Sequence, residues 1–166
     1  VSLFDALRLI VRLEKLRRIG KWRGKIITGG PHSTLLPATI PDYVDHIVLG
    51  EGELSILKII SGSLNERIVH GKRILEPDNI ISFAPWSEIF KQPYDFSAPF
   101  GYAGLYPTIT LNTSRDCPFN CRFCSAKTLW DKKYTAFSVP RIMSELDYLI
   151  KKFEIKGVYF REDNFT

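Results

Sequence analysis

A chain of 166 residues, 45% hydrophobic and 25% charged, has the composition of a folded globular protein and the length of one domain or two small ones, which sets disorder aside. No apolar run approaches the roughly 18 residues of a membrane span and the opening residues lack a signal-peptide pattern, so a soluble cytoplasmic protein with no membrane span is expected. The net charge of +5 is uneven, with eight Lys or Arg and two Asp or Glu in residues 1 to 25 (+6) and −1 over the remainder; charges interleaved along an amphipathic helix favour a solvated face over a nucleic-acid surface.

Ser2-Leu3-Phe4-Asp5 matches a helix capping box, and Leu3, Leu7, Ile10 and Val11 recur at helical spacing to about Arg18, with Gly20 as a stop. Arg8, Arg12 and Lys15 fall on or near the other face. Lys25 to Thr28 then reads as a buried strand, and Gly29-Gly30-Pro31-His32 as a tight turn at its carboxyl end, the edge at which open α/β sheets hold ligands. A second strand, His46 to Leu49, leads into Gly50-Glu51-Gly52-Glu53 and a helix through about Ile60. This alternation predicts a parallel sheet of the doubly wound, Rossmann-like kind.

The pair of motifs, Gly29-Gly30-Pro31-His32 and Gly50-Glu51-Gly52-Glu53, resembles the closing half of a cobalamin-binding domain. Paired glycines at a strand end let backbone approach a bulky ligand with no Cβ in the way. The resemblance implies that Gly29, Gly30 and His32 border cobalamin. The opening half of such a domain, including the D-x-H-x-x-G segment that carries a cobalt-binding histidine in some members, is not in the sequence. His32 either lines the pocket or caps backbone. His46, in an apolar strand, reads as structural, and His70 as a hairpin residue beside a Gly-Lys turn. Glu51 and Glu53 sit where a glutamate serves a helix dipole, and no catalysis is assigned to them.

From about Leu75 to Pro107 periodicity fades. Pro77, Pro85, Pro93, Pro99 and Pro107 alternate with Trp86, Phe90, Tyr94, Phe96, Phe100, Tyr102 and Tyr106, the mark of a linker that lies against its neighbours and buries its rings. A base-stacking platform would need more Lys or Arg than Lys91. Thr108 to Thr113 is strand-like, and Cys117-Pro118-Phe119-Asn120-Cys121-Arg122-Phe123-Cys124 follows, holding all three cysteines of the sequence as C-x3-C-x2-C. Three thiolates from one loop can reach three corners of an iron-sulfur cube, leaving one iron open to an external ligand; a self-contained electron carrier needs a fourth cysteine. A disulfide with a spare thiol suits an oxidising compartment. A structural zinc needs a fourth ligand, and His32, His46 and His70 all lie far upstream.

This spacing, with an aromatic just before the last cysteine, resembles the radical SAM enzymes. The resemblance implies Cys117, Cys121 and Cys124 as ligands of a [4Fe-4S] cluster, S-adenosylmethionine chelating the open iron, Phe123 near its adenine, and reductive cleavage to a 5'-deoxyadenosyl radical. It also implies a reducing donor such as ferredoxin or flavodoxin and a small-molecule substrate. Asp116 stands where many members have glycine, and aspartate tolerates a positive φ less well.

Ala126 to Phe137 reads as irregular, with Lys127, Lys132 and Lys133 facing an anion or water. Ser138 and Pro140 mark a helix start, and Ile142, Leu146, Leu149, Ile150 and Phe153 form one stripe, with Lys151 and Lys152 in the last turn. Val158-Tyr159-Phe160 restarts a strand, so residues 108 to 160 spell strand, loop, helix, parallel strand, the first βαβ unit of a partial TIM barrel. The cysteine loop and Arg161-Glu162-Asp163-Asn164-Phe165 then share the carboxyl face where barrel sites are built. Cobalamin-linked radical SAM proteins commonly end this strand similarly, which implies Glu162 and Asp163 as S-adenosylmethionine contacts; ordinary polar strand-end residues are the alternative.

The expected organisation is a piece of a longer protein: residues 1–74 as the C-terminal part of a cobalamin-binding-like domain, 75–107 as a linker and 108–166 as the start of a radical SAM core. The expected activity is that of a cobalamin-linked methyltransferase or cyclase. The rival is a non-catalytic module with a zinc-thiolate site and a partner-docking α/β domain.

Overall fold

The computed structural model describes residues 3–98, 104–129 and 133–164, the Lys127 side chain apart. Ser2, Pro99, Phe100, Tyr102, Lys132 and Phe165, named above, lie outside the described residues. The chain is α/β with parallel sheets and divides into units 1–73 and 74–166.

The first unit opens with α1 (Leu3–Arg18). Its buried seam runs through Leu7, Ile10, Leu13 and Arg17, a helical period that leaves Val11 42% exposed, outside the expected stripe. Gly20 closes the helix: its N–H donates to the Arg17 carbonyl and the next N–H, of Lys21, to Leu16, the paired bonds of a Schellman end. Then come β1 (Ile27–Thr28), α2 (Pro31–Leu35), a 3-10 turn at Pro37–Thr39, β2 (His46–Leu49), α3 (Glu53–Ile60) and β3 (Ile68–His70).

The three strands pair in parallel in the order β1-β2-β3, with Thr28 opposite Ile47 and Leu49 opposite His70. Successive residues of a strand face opposite sides. Ile47 and Leu49 therefore pack with Ile10, Leu13, Ile26, Ile40 and Val44 on the α1 side, while Val48 packs with Ile59 and Val69 on the α3 side. Burying both faces in this way favours apolar strands, and β2 is buried from His46 to Val48.

His70 corrects the hairpin expectation. With α3 as crossover, β3 runs parallel to β2, and the Gly71 N–H donates to the Leu49 carbonyl at 2.8 Å, so Gly-Lys continues the strand edge. A Cβ at Gly71 would stand 1.8 Å from the Glu51 carbonyl oxygen, an approach that requires glycine.

In the second unit, single turns α4 (Pro77–Ile80) and α5 (Trp86–Ile89) precede β4 (Thr108–Leu111), β5 (Ser114–Arg115), α6 (Ala126–Leu129), β6 (Thr135–Ala136), α7 (Val139–Phe153) and β7 (Gly157–Phe160). The stretch from 126 to 137, expected to be irregular, thus holds a helical turn and a strand, because β6 pairs antiparallel with β5. β4 and β7 are parallel neighbours, Thr108 opposite Gly157 and Leu111 opposite Phe160, with α7 as the crossover. The Ser138 side chain caps α7 by accepting from the Arg141 N–H, and Pro140 sits in its first turn.

The core joins Trp86, Ile109, Leu111, Leu149 and Ile155. Phe96, Phe90 and Phe153 stack in sequence, with ring centroids 4.4 and 4.2 Å apart. The Trp86 indole N–H donates to Glu145 Oε1 at 2.7 Å, and Ser87 Oγ meets the Tyr148 hydroxyl at 3.2 Å. The covered face of α7 is accordingly turned toward Glu145 and Tyr148, which leaves Ile150 53% exposed, against expectation. Among the described residues no helix is long and apolar enough to cross a membrane.

Candidate functional site

Because β4 and β7 are parallel neighbours, their carboxyl ends emerge together. The Arg161 N–H donates to the Leu111 carbonyl at 2.9 Å, and the Asn112 side-chain amide donates to the Arg161 carbonyl. Glu162 then closes the edge. Its Oε1 accepts from the Thr113 N–H and hydroxyl, the latter at 2.8 Å; its Oε2 accepts from the Ser114 N–H at 3.1 Å and hydroxyl at 2.6 Å. Both oxygens are engaged at the root of the cysteine loop, a structural duty that sequence reasoning did not assign. The adjacent hydroxyl residues Thr113 and Ser114 at a strand end were the available signal. Asp163 is exposed beside it.

Beyond Arg115 the chain turns at Asp116, whose φ is 75° and whose side chain is wholly buried. Asp116 Oδ1 accepts from the Cys117 N–H at 2.7 Å, while its buried Oδ2 has no hydrogen-bond partner. Cys117 and Cys124 are half-buried, Cys121 is exposed, and all three are free thiols. The Cys124 N–H reaches the Cys121 carbonyl at 3.2 Å, a turn that leads into α6. Phe119 is 64% and Phe123 93% exposed.

Among the described residues no three His, Cys, Asp or Glu side chains stand close enough to hold a single ion. The donor chemistry nonetheless fits a thiolate-bound cluster, with three soft ligands on one loop.

In the first unit, Gly29-Gly30 follow β1, Gly50-Glu51-Gly52 follow β2 and Gly71 follows β3, so the carboxyl edge of the sheet is largely backbone. Thr34 ties two of these turns, its Oγ1 accepting from the Gly50 N–H at 2.9 Å and donating to the Gly30 carbonyl at 2.9 Å. Gly30 has φ 86°, and a Cβ there would meet nothing within 4 Å, so the backbone of this turn stands open. His32 Nε2 lies 2.8 Å from Thr39 Oγ1, tying the ring to the following turn. His46 is buried, with Nδ1 at 2.8 Å from the Glu66 carbonyl and Nε2 at 3.2 Å from Lys25 Nζ, the structural part read from the sequence.

Glu51 forms a 2.6 Å ion pair with Arg73, the side chains 2% and 8% exposed. Such a pair contributes little net stability, because the cost of desolvating both charges offsets their attraction. Thr34 and Arg73 were not singled out by sequence reasoning. A threonine four residues after a turn glycine, able to bond back to its carbonyl, was the readable hint for the first; nothing local announced the second.

No family model matches the chain, and no solved structure matches it. Among curated proteins it is similar to an uncharacterized methyltransferase of Pyrococcus horikoshii, 32% identical over 155 residues, covering 85% of this chain and 34% of that protein. It is also similar to the hopanoid C-3 methylase of Methylococcus capsulatus, 25% identical over 152 residues, covering 81% and 28%. A third relative is the anaerobic magnesium-protoporphyrin IX monomethyl ester cyclase of Cereibacter sphaeroides, 26% identical over 148 residues, covering 76% and 23%. The chain spans about a quarter to a third of the length of these curated relatives, which are named for methyl transfer and for cyclisation.

Proposed function

We propose that the chain is part of a cobalamin-linked radical SAM enzyme, a methyltransferase or cyclase acting on a small molecule. Residues 1–74 are assigned as the closing part of a cobalamin-binding-like domain, 75–107 as a connecting segment and 108–166 as the first βαβ unit of the radical SAM core. The observation that carries this reading is the C-x3-C-x2-C loop rooted at the carboxyl end of β4, clasped there by Glu162 of its parallel neighbour. The names of the relatives support it.

Cys117, Cys121 and Cys124 would hold a [4Fe-4S] cluster, which when bound supplies the electron that cleaves S-adenosylmethionine to a 5'-deoxyadenosyl radical. Phe123, lying open on the loop, offers a ring to the adenine. Asp163 offers an exposed carboxylate to the methionine amine, while Glu162 holds the loop's root in register. In the complete protein Gly29, Gly30 and His32 border cobalamin, and ferredoxin or flavodoxin in the cytoplasm supplies electrons.

Anaerobic reconstitution with iron and sulfide tests this. The chain should turn brown, and the spectrum of its reduced cluster should change on adding S-adenosylmethionine. Cys121→Ala should abolish both. A colourless chain that instead retains one zinc would overturn the reading and favour the zinc-thiolate module.

A further inference from the structure

Asp116 has features that a simple loop corner does not require. It is wholly buried, it adopts φ 75°, and its carboxylate splits its duties: Oδ1 takes the Cys117 N–H at 2.7 Å while Oδ2, also buried, has no partner. We infer that Asp116 is a positioning residue that draws the reduction potential of the thiolate-bound cluster downward, by occupying the amide of the first ligand and by placing a buried carboxylate beside it. The inference rests on the cluster reading above.

The physical argument has two parts that act in the same direction. Hydrogen bonds to the sulfurs of an iron-sulfur cluster spread its charge and raise its potential. The Cys117 amide is committed to Asp116 Oδ1 and so withheld from that role. Reduction adds a negative charge, and a nearby buried negative group disfavours it more strongly than an exposed one would. Among the described residues no hydrogen-bond donor meets Oδ2, so the carboxylate, when ionised, is offset by the Cys117 amide at Oδ1 alone. A lower potential makes a stronger one-electron donor, which is what cleavage of a sulfonium demands.

The test is a redox titration of the reconstituted chain, followed by the electron paramagnetic resonance signal of the reduced cluster, in the wild type, Asp116→Asn and Asp116→Gly. Asparagine keeps the acceptor oxygen and removes the charge; glycine removes both and suits the backbone at positive φ. Both variants should shift the midpoint upward at wild-type iron content, glycine further than asparagine. Should Asp116→Asn fail to fold, Asp116→Gly carries the test, since its backbone is unstrained. Midpoints unchanged from the wild type at equal iron content would overturn the inference and leave the cluster reading standing. A wild-type chain that takes up no cluster would overturn both.

Discussion

At Glu162 one carboxylate satisfies two backbone amides and two hydroxyls where β4 and β7 end together. Hydrogen bonds to a charged acceptor contribute about 1.5–3 kcal/mol each in isolation, and they are not additive when they share one group. Glu162→Ala strands the Thr113 and Ser114 donors, Ser114 being buried. The variant should lose about 2–4 kcal/mol of stability in the second unit, read from its urea midpoint. Glu162→Gln should lose less, because one oxygen still accepts while its NH2 faces the remaining donors. A loss below about 0.5 kcal/mol for the alanine variant would show that water replaces the clasp. The same substitution separates two duties of this residue: a structural clasp lowers the midpoint whether or not S-adenosylmethionine is present.

Among the elements, α1 is tied to its sheet through a charged junction at Arg17. The Arg17 guanidinium reaches Asp45 Oδ2 at 2.7 Å and also Glu14 and the Tyr43 carbonyl, while Asp45 Oδ2 accepts from the Ile26 N–H at 2.7 Å. Burial pushes the Asp45 carboxyl up, but the Ile26 amide and the Arg17 guanidinium together outweigh it and hold it below the ordinary carboxylate range. A carboxyl depressed in the folded state contributes stability that is complete above its unfolded pKa of about 3.9 and is lost as pH falls through the folded value. The thermal midpoint of the first unit should therefore drop below about pH 4, and Asp45→Asn should flatten that part of the profile while lowering the midpoint at neutral pH.

The elements also show what the sequence could disclose. The helical period of α1 and α7 and the parallel β4-α7-β7 unit were legible, since periodicity and the strand-helix-strand order act locally. β3 was not, because three residues beside a Gly-Lys pair carry a hairpin signal until the crossover α3 puts Ile68 beside Ile47. Nor was the face of α7, since what turns it is Trp86, nearly 60 positions upstream of Glu145. The thiol loop could be read as a motif from its spacing, whereas the role of Glu162 depends on hydrogen bonds to residues far off in the sequence, and that of Asp116 on a burial that its neighbours in the chain do not announce.

On the scale of the whole molecule, each unit has a core of its own among the described residues. Ile10, Ile26, Ile47, Val48, Ile59 and Val69 serve the first, and Trp86, Ile109, Leu111, Leu149 and Ile155 the second. Each also has its own reporter, Trp22 packed against the first core and Trp86 buried in the second. Units with independent cores unfold as separate cooperative bodies. In a Trp130→Phe background, with Trp22 or Trp86 replaced in turn by Phe, fluorescence in urea should report one unit at a time. Gly71→Ala drives a Cβ to 1.8 Å from the Glu51 carbonyl oxygen and should cost about 3 kcal/mol or more, moving only the Trp22 transition. Glu162→Ala should move only the Trp86 transition. If either substitution shifted both transitions together, the units would share one cooperative body. The stabilities would then be coupled, and occupancy of the thiol loop would stabilise the glycine-lined edge as well.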